Sequence, residues 1–313
     1  MYSINTMQKK ISEILSWYPA LTVKQRANMV KLFNHGRIGG TGKLVILPVD
    51  QGFEHGPARS FTSNPAGYNP VYHAELAIKS GCNAYAAPLG ALEAAADIIA
   101  KNNLPTILKL NNHDLMMPDD ANYFPAITAW IDDAVRLKAS AVGMTVYAGS
   151  SHSYEMYQQA RELVSDARKA GLIVVIWMYP RGSGLPSKEA EIAVDVISYG
   201  VHIACQLGAH IVKCKPSSNL VALENNVKRG VYKNLLIETL ADRTKLVLKA
   251  AFDGRRVVIC SGGEARTTDE IFEEIKQLKK GGAFGSIVGR NSFQRPLNEA
   301  VKLLHDIQDI YTS

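Results

Sequence analysis

The sequence predicts an α/β fold, a (β/α)8 TIM barrel with extra N-terminal helices, on three observations. Eight short apolar runs alternate with helical stretches at about 30-residue spacing, the rhythm of a parallel sheet with helical crossovers. Several of these runs are apolar throughout, as strands covered on both faces are. A chain of 313 residues has room for eight such units, since a barrel typically takes about 250 residues. The first run is not followed by Gly-x-Gly-x-x-Gly, which argues against a dinucleotide-binding open sheet.

The elements follow in order. Stretches 4–16 and 22–34 read as helices: Ile4, Met7, Ile11 and Ile14 recur on one face of the first, and Thr22 is placed to cap the second. Asn34-His35-Gly36 and Gly39-Gly40-Thr41-Gly42 break the pattern, so these helices form an accessory layer or a barrel plug. The first strand runs from Leu44 to Val49 and ends at Asp50. Helices near 70–80, 91–102, 125–138 and 153–170 then lead into strands at 82–88, 106–111, 141–147 and 172–179. A helix near 188–207, closed by Gly208, leads into Ile211-Val212-Lys213-Cys214-Lys215, which Pro216 stops. Helices near 236–251 and 267–279 precede strands at 256–261 and 285–289, and a helix near 296–310 closes the chain. The stretch 216–235 is the main irregularity, of a length that suits a lid or an oligomer contact. Composition does not shift along the chain, so 1–313 reads as one barrel domain with 1–40 as its helical extension.

Bulk properties narrow the function classes. The net charge is +6, but charged residues make up only 20% of the chain and form no basic run interleaved with aromatics, which argues against nucleic acid and suits anionic small substrates. Cys82, Cys205, Cys214 and Cys260 lack metal-ligand or Cys-x-x-Cys spacing and read as reduced core thiols. No apolar stretch reaches the roughly 18 residues of a membrane span, and the N-terminus lacks a signal pattern, so the expectation is a cytoplasmic protein with no membrane partner.

In a barrel the chemistry collects at the C-terminal strand ends. Those ends carry Asp50, Lys109 and Asn111, Tyr147, Trp177 and Tyr179, and Lys213 and Lys215. Side chains alternate along a strand, so Lys213 and Lys215 share a face, as do Trp177 and Tyr179. A lysine on the inner face is costly to bury charged, and a second cation two residues on would depress its pKa and free the amine to attack a carbonyl. On that stretch alone, two lysines reaching past the strand end into solvent is an equal reading. Ser261-Gly262-Gly263 and Gly289-Arg290-Asn291 follow the seventh and eighth strands, where many barrels hold phosphate on exposed backbone N–H groups. A phosphate anchor beside an imine-forming lysine suits a phosphorylated ketone or aldehyde. With a carboxylate and a phenol for proton transfer, the chemistry is carbon–carbon cleavage or formation through a Schiff base, whose iminium replaces a Lewis acid. No cofactor is required. Asp50, Glu54, His55 and His113 match no metal-ligand spacing, so no metal site is assigned.

The motifs Pro48-Val49-Asp50-Gln51-Gly52-Phe53-Glu54-His55-Gly56-Pro57, Trp177-Met178-Tyr179-Pro180-Arg181-Gly182, Ile211-Val212-Lys213, Ser261-Gly262-Gly263 and Val288-Gly289-Arg290-Asn291 occur in that order. Together they resemble the archaeal-type class I fructose-bisphosphate aldolases, and the likeness covers about residues 40–300. The resemblance implies a barrel that forms Schiff bases and assembles as a homo-oligomer. It makes Lys213 the Schiff-base lysine, Tyr179 the main proton-transfer group aided by Trp177, and Asp50 the carboxylate that handles the substrate hydroxyl. Ser261, Gly262, Gly263, Gly289 and Arg290 match the phosphate site on the dihydroxyacetone phosphate side, and Arg181 is matched to the other phosphate. Lys215 joins the phosphate-binding set. Two departures stand out: Lys215-Pro216-Ser217-Ser218 replaces the Tyr-Thr-Gly turn of many members, and the longer segment before the seventh strand resembles the bacterial branch.

The expectation is a metal-independent lyase that cleaves fructose 1,6-bisphosphate reversibly to dihydroxyacetone phosphate and glyceraldehyde 3-phosphate. Two alternatives stay open. One is a related Schiff-base aldolase, transaldolase or thiolase acting on another phosphorylated ketose or diketone. The other is a non-catalytic phosphosugar-binding barrel, against which the joint presence of Asp50, Tyr179 and Lys213 argues.

Overall fold

The computed structural model describes residues 4–116, 123–262 and 266–313. Eight parallel strands close on themselves: β1 (Leu44–Pro48), β2 (Ala84–Pro88), β3 (Thr106–Lys109), β4 (Ala141–Val146), β5 (Ile173–Met178), β6 (Ile211–Cys214), β7 (Val257–Ser261) and β8 (Gly285–Ile287). Every consecutive pair is in register, and the pairing of β1 with β8, Leu44 opposite Gly285, shuts the ring. That closure needs glycine, since a Cβ at Gly285 would lie 1.7 Å from the Leu44 carbonyl oxygen.

Alternation along the strands builds two cores. Inward residues Leu44, Ile46, Ile173, Val175, Trp177, Ile211, Ile259 and Ile287 fill the barrel, while Val45, Leu47, Val174, Ile176, Val212 and Val258 face the outer helices. The inner core continues downward into helices α1 (Ile4–Ser16) and α2 (Val23–Asn34), whose Ile11, Ile14, Met29, Leu32 and Phe33 pack beneath the strands. Of the two sequence readings for these helices, the plug describes this packing. Thr22 caps α2 through a capping box with Gln25. The Tyr18 hydroxyl donates to the His210 carbonyl (2.6 Å) and accepts from the Val257 N–H (2.9 Å), pinning the plug to β6 and β7.

Three expectations need correction. The helix expected over 125–138 is only Ile131–Arg136, because Ala126–Ile127 pairs with Asn111–Asn112 and the Asp133 carboxylate caps the Trp130 N–H at 3.0 Å, starting the helix there. The helix expected over 91–102 is broken at Ala95 into Leu89–Ala94 and Ala96–Lys101. The stretch 216–235 is not a bare loop. It holds the helix Glu224–Arg229, and buried Asp195 accepts from the Ala222 and Leu223 N–H groups and from the Asn226 side chain. Among the described residues, no helix is long and apolar enough to cross a membrane.

Candidate active site

Lys213 is the inward residue near the end of β6, 4% exposed, with its amine 5.1 Å from the Trp177 ring centre and 5.3 Å from that of Tyr179. The indole fits because its ring lies over a glycine of the adjacent strand β4: a Cβ at Gly143 would lie 1.9 Å from the Trp177 ring. The Trp177 Nε1–H is buried with no hydrogen-bond partner among the described residues.

The surroundings set the amine's acidity. Burial lowers the Lys213 pKa to about 8, Lys109 and Arg290 push the same way, and Asp50 and Glu54 oppose them. The cation two residues on is not among the largest influences on it; Lys109 is the leading cation. Lys215 is half-buried, with its amine 3.4 Å from the Glu191 carboxylate and 5.9 Å from the Tyr179 ring centre. Its own pKa is lowered by burial and by Arg181.

Lys109, at the end of β3, is the cation at the centre. Its amine donates to Glu54 (2.9 Å) and to the Asn111 carbonyl (2.7 Å), and lies 3.6 Å from the Asp50 carboxylate. Burial alone would raise Asp50, but Lys109 and Lys213 overcome it and hold that carboxyl below its ordinary value. Glu54 has no such surplus: burial and the Asp50 charge raise it against the pull of Lys109. Tyr179 is pushed well above the ordinary phenol value by burial and then by Asp50, while a hydrogen bond with Ser261 works the other way. The mouth therefore holds an ionised carboxylate, a neutral phenol and an amine that exchanges its proton near neutral pH.

The two loops expected from the sequence to bind phosphate follow β7 and β8. Ser261 ends β7 and Gly262 follows, while Gly289 precedes the turn Arg290–Phe293. Asn291 ties the loops together, donating to the Gly262 carbonyl (3.0 Å) and accepting from the Arg266 N–H (3.0 Å). A Cβ at Gly262 would meet nothing closer than 3.5 Å, so packing does not demand glycine there. Arg290 acts electrostatically on both Lys213 and His55, and with burial it helps hold His55 down to about 4. Gly263, assigned to the same site from the sequence, lies outside the described residues. Arg181 sits at the rim, 3.7 Å from Glu191 and stacked against Tyr123 and Tyr147 at 5.2 and 5.4 Å.

A family profile for DeoC/LacD aldolases matches residues 44–295, from the first barrel strand to beyond the loop that follows β8. The chain belongs to the DeoC/LacD aldolase family. Among curated relatives, a probable fructose-bisphosphate aldolase class 1 of Chlamydia muridarum is 36% identical over 297 residues, 91% of this chain and 83% of that protein. A fructose-bisphosphate aldolase class 1 of Thermoproteus tenax is 30% identical over 270 residues, 86% of this chain and 89% of that one. Among solved structures, a Schiff-base-forming fructose-1,6-bisphosphate aldolase superposes with a TM-score of 0.74 at 27% identity, covering 91% of this chain and 98% of the other. An archaeal aldolase whose catalytic lysine is covalently bound to the carbinolamine of its substrate superposes at 0.72 and 26%, covering 96% and 100%.

Sequence reasoning placed Asp50, Trp177, Tyr179 and Lys213 around one mouth, and the structure brings these four together. It listed Lys109 at the strand ends without giving it a role, and weighed Glu54 only as a metal ligand. The available signals were local: Lys109 shares its strand face with Asn111, and Glu54 stands one helical turn after Asp50. Asn291 was visible in its motif but was given no part.

Proposed function

We propose that this chain is a class I fructose-bisphosphate aldolase, a lyase that cleaves fructose 1,6-bisphosphate to dihydroxyacetone phosphate and glyceraldehyde 3-phosphate and catalyses the reverse condensation. The observation that carries the reading is the buried amine of Lys213, depressed to about 8 beside an ionised Asp50 and a neutral Tyr179. At pH 7 about a tenth of that amine is unprotonated, against roughly one part in three thousand at an ordinary lysine pKa.

The Lys213 amine adds to the C2 carbonyl of the open-chain sugar, and loss of water from the carbinolamine gives an iminium. Asp50 accepts the C4 hydroxyl proton as the C3–C4 bond breaks. The bonding pair moves into the iminium as an enamine, and glyceraldehyde 3-phosphate leaves. Tyr179 donates a proton to C3 and recovers one from the Asp50 carboxyl. Water then hydrolyses the imine, releasing dihydroxyacetone phosphate and the amine. Trp177 walls the imine and offers its unpaired indole N–H to substrate oxygen. Ser261, Gly262, Gly263, Gly289 and Arg290 hold the phosphate on the C1 side, where an unencumbered Gly262 leaves room for oxygen atoms against backbone. Arg181 and Lys215, which share Glu191, receive the other phosphate. Assembly as a homo-oligomer belongs to the same reading and is tested by light scattering.

The decisive experiment traps dihydroxyacetone phosphate on the enzyme with borohydride and maps the adduct by mass spectrometry. The expected mass lies on Lys213, the Lys213→Ala protein stays folded and unlabelled, and EDTA leaves turnover unchanged. A label on Lys109 or Lys215 refutes the assignment, and no label at all refutes the mechanism. Kinetics across a sugar-phosphate panel separates fructose bisphosphate from a different phosphorylated ketose.

A further inference from the structure

The end of the barrel opposite the mouth carries a second basic cavity, of about 370 Å³, between the plug and the helix Ser153–Ala170. Its walls are the plug turn Tyr18–Leu21, one face of that helix, and the segment Gly208–His210 that leads into β6. Arg161, Val164, Ser165 and Arg168 stand at positions i, i+3, i+4 and i+7, so both arginines turn to the same side of the helix. Arg256, just before β7, closes the cavity from below, its guanidinium 4.7 Å from the Tyr18 ring centre and 4.9 Å from that of Phe252.

We infer that this cavity is a binding site for a small phosphorylated molecule, held by Arg161, Arg168 and Arg256. A guanidinium has five N–H donors in a planar fork that matches phosphate oxygens. Only a few of those donors are used here. Arg161 donates to the Leu207 carbonyl and Arg168 to the Ala20 carbonyl, each at 3.1 Å, and Arg256 donates from Nη1 to the Trp17 and Arg255 carbonyls. Arg37, Arg136, Arg181 and Arg266 each meet a carboxylate elsewhere in the fold, but these three do not among the described residues. The nearby acids do not neutralise them: Asp166 pairs with Lys169, and with Glu162 it lines a different groove. A cation in the last turn of a helix has an ordinary role in answering its dipole, which accounts for Arg168 alone. Arg161 is two turns earlier and Arg256 is on another element. Their convergence is felt by His210, which burial, Arg256 and Arg168 together hold down to about 4. Its Nδ1 accepts from the Val174 N–H at 3.0 Å, which leaves the proton of the neutral ring on Nε2.

The probe is inorganic pyrophosphate, with sodium chloride at matched ionic strength as the control. Hydrogen exchange of the full chain reports where it binds. Slowed exchange is expected over 17–25, 161–170 and 206–212, in addition to any slowing at the phosphate loops of the mouth. The double variant Arg161→Gln, Arg168→Gln changes two exposed side chains remote from the mouth, so it is expected to fold and to keep its turnover. It should lose the protection at the base and bind there about a hundredfold more weakly, roughly tenfold for each charge-assisted contact removed. Protection confined to 259–262 and 286–293, or base protection equal in wild type, salt control and double variant, overturns the proposal. The readout is binding at the base, so it stands or falls separately from the aldolase reaction.

Discussion

Replacing Lys213 by methionine is expected to abolish imine formation and yet make the protein more stable. The magnitude follows from where the amine lies. At 4% exposure its pKa falls from 10.5 to about 8, burial being the largest cause. The unfolded chain holds this lysine protonated in water, so at pH 7 the native state bears a penalty of about 3 kcal/mol, taking about 1.36 kcal/mol for each pH unit between the two values. The sign follows from proton binding. Between pH 8 and 10.5 the unfolded state binds more protons, so the penalty is complete below pH 8 and fades as pH rises toward 10.5. Methionine fills a similar volume without a charge, and Lys109 stays 3.6 Å from Asp50, so that carboxylate keeps a partner. Urea unfolding followed by circular dichroism should give a variant more stable by about 3 kcal/mol at pH 7, the difference shrinking to under about 1 kcal/mol at pH 10. A variant less stable than wild type at pH 7, or a difference that does not shrink with pH, would refute the account of Lys213 as a depressed, buried amine.

Removing Lys109 acts in the opposite sense. Lys109→Met deletes a like charge beside Lys213 and frees Asp50 and Glu54 to pull on it, so the acid limb of borohydride trapping should move up from about 8, with a tenfold loss of free amine for each pH unit moved. The same change breaks a buried ion pair and should cost about 3–5 kcal/mol in urea unfolding. Gly143→Ala forces a methyl into the Trp177 ring and should cost about 1–3 kcal/mol, with a changed near-ultraviolet indole signal; an unaltered signal would show that the indole is not packed there. Tyr18→Phe removes the hydroxyl that bridges His210 and Val257 and should cost about 1–3 kcal/mol while leaving KM at the mouth unchanged. A changed KM would mean that the plug communicates with the mouth.

Much of this was legible because strand periodicity is a local property. The inward parity of Lys213, Trp177 and Tyr179 follows from alternation once the strands are found, and a closed ring brings inward residues at the C-terminal ends together. Helix boundaries were less legible where a distant segment intervenes, as Asn111–Asn112 does by pairing with Ala126–Ile127 and Asp195 does under 222–226. The source of the amine's acidity was misread for a related reason. Sequence distance made Lys215 the obvious second cation, yet that side chain turns to Glu191, while Lys109 reaches the centre from a strand three places away around the ring.

By itself, then, the sequence determined the order and facing of the strands, and hence which residues end at the mouth, because apolar runs and their alternation are written along the chain. Only the tertiary structure decided which charges stand within 4 Å of one another, and therefore which proton each group holds. Coulomb interaction and burial depend on distances between strands, and no spacing along the chain encodes them. The arginine cavity at the base is of the same kind: its three cations come from positions 161, 168 and 256 and meet only because the ring closes.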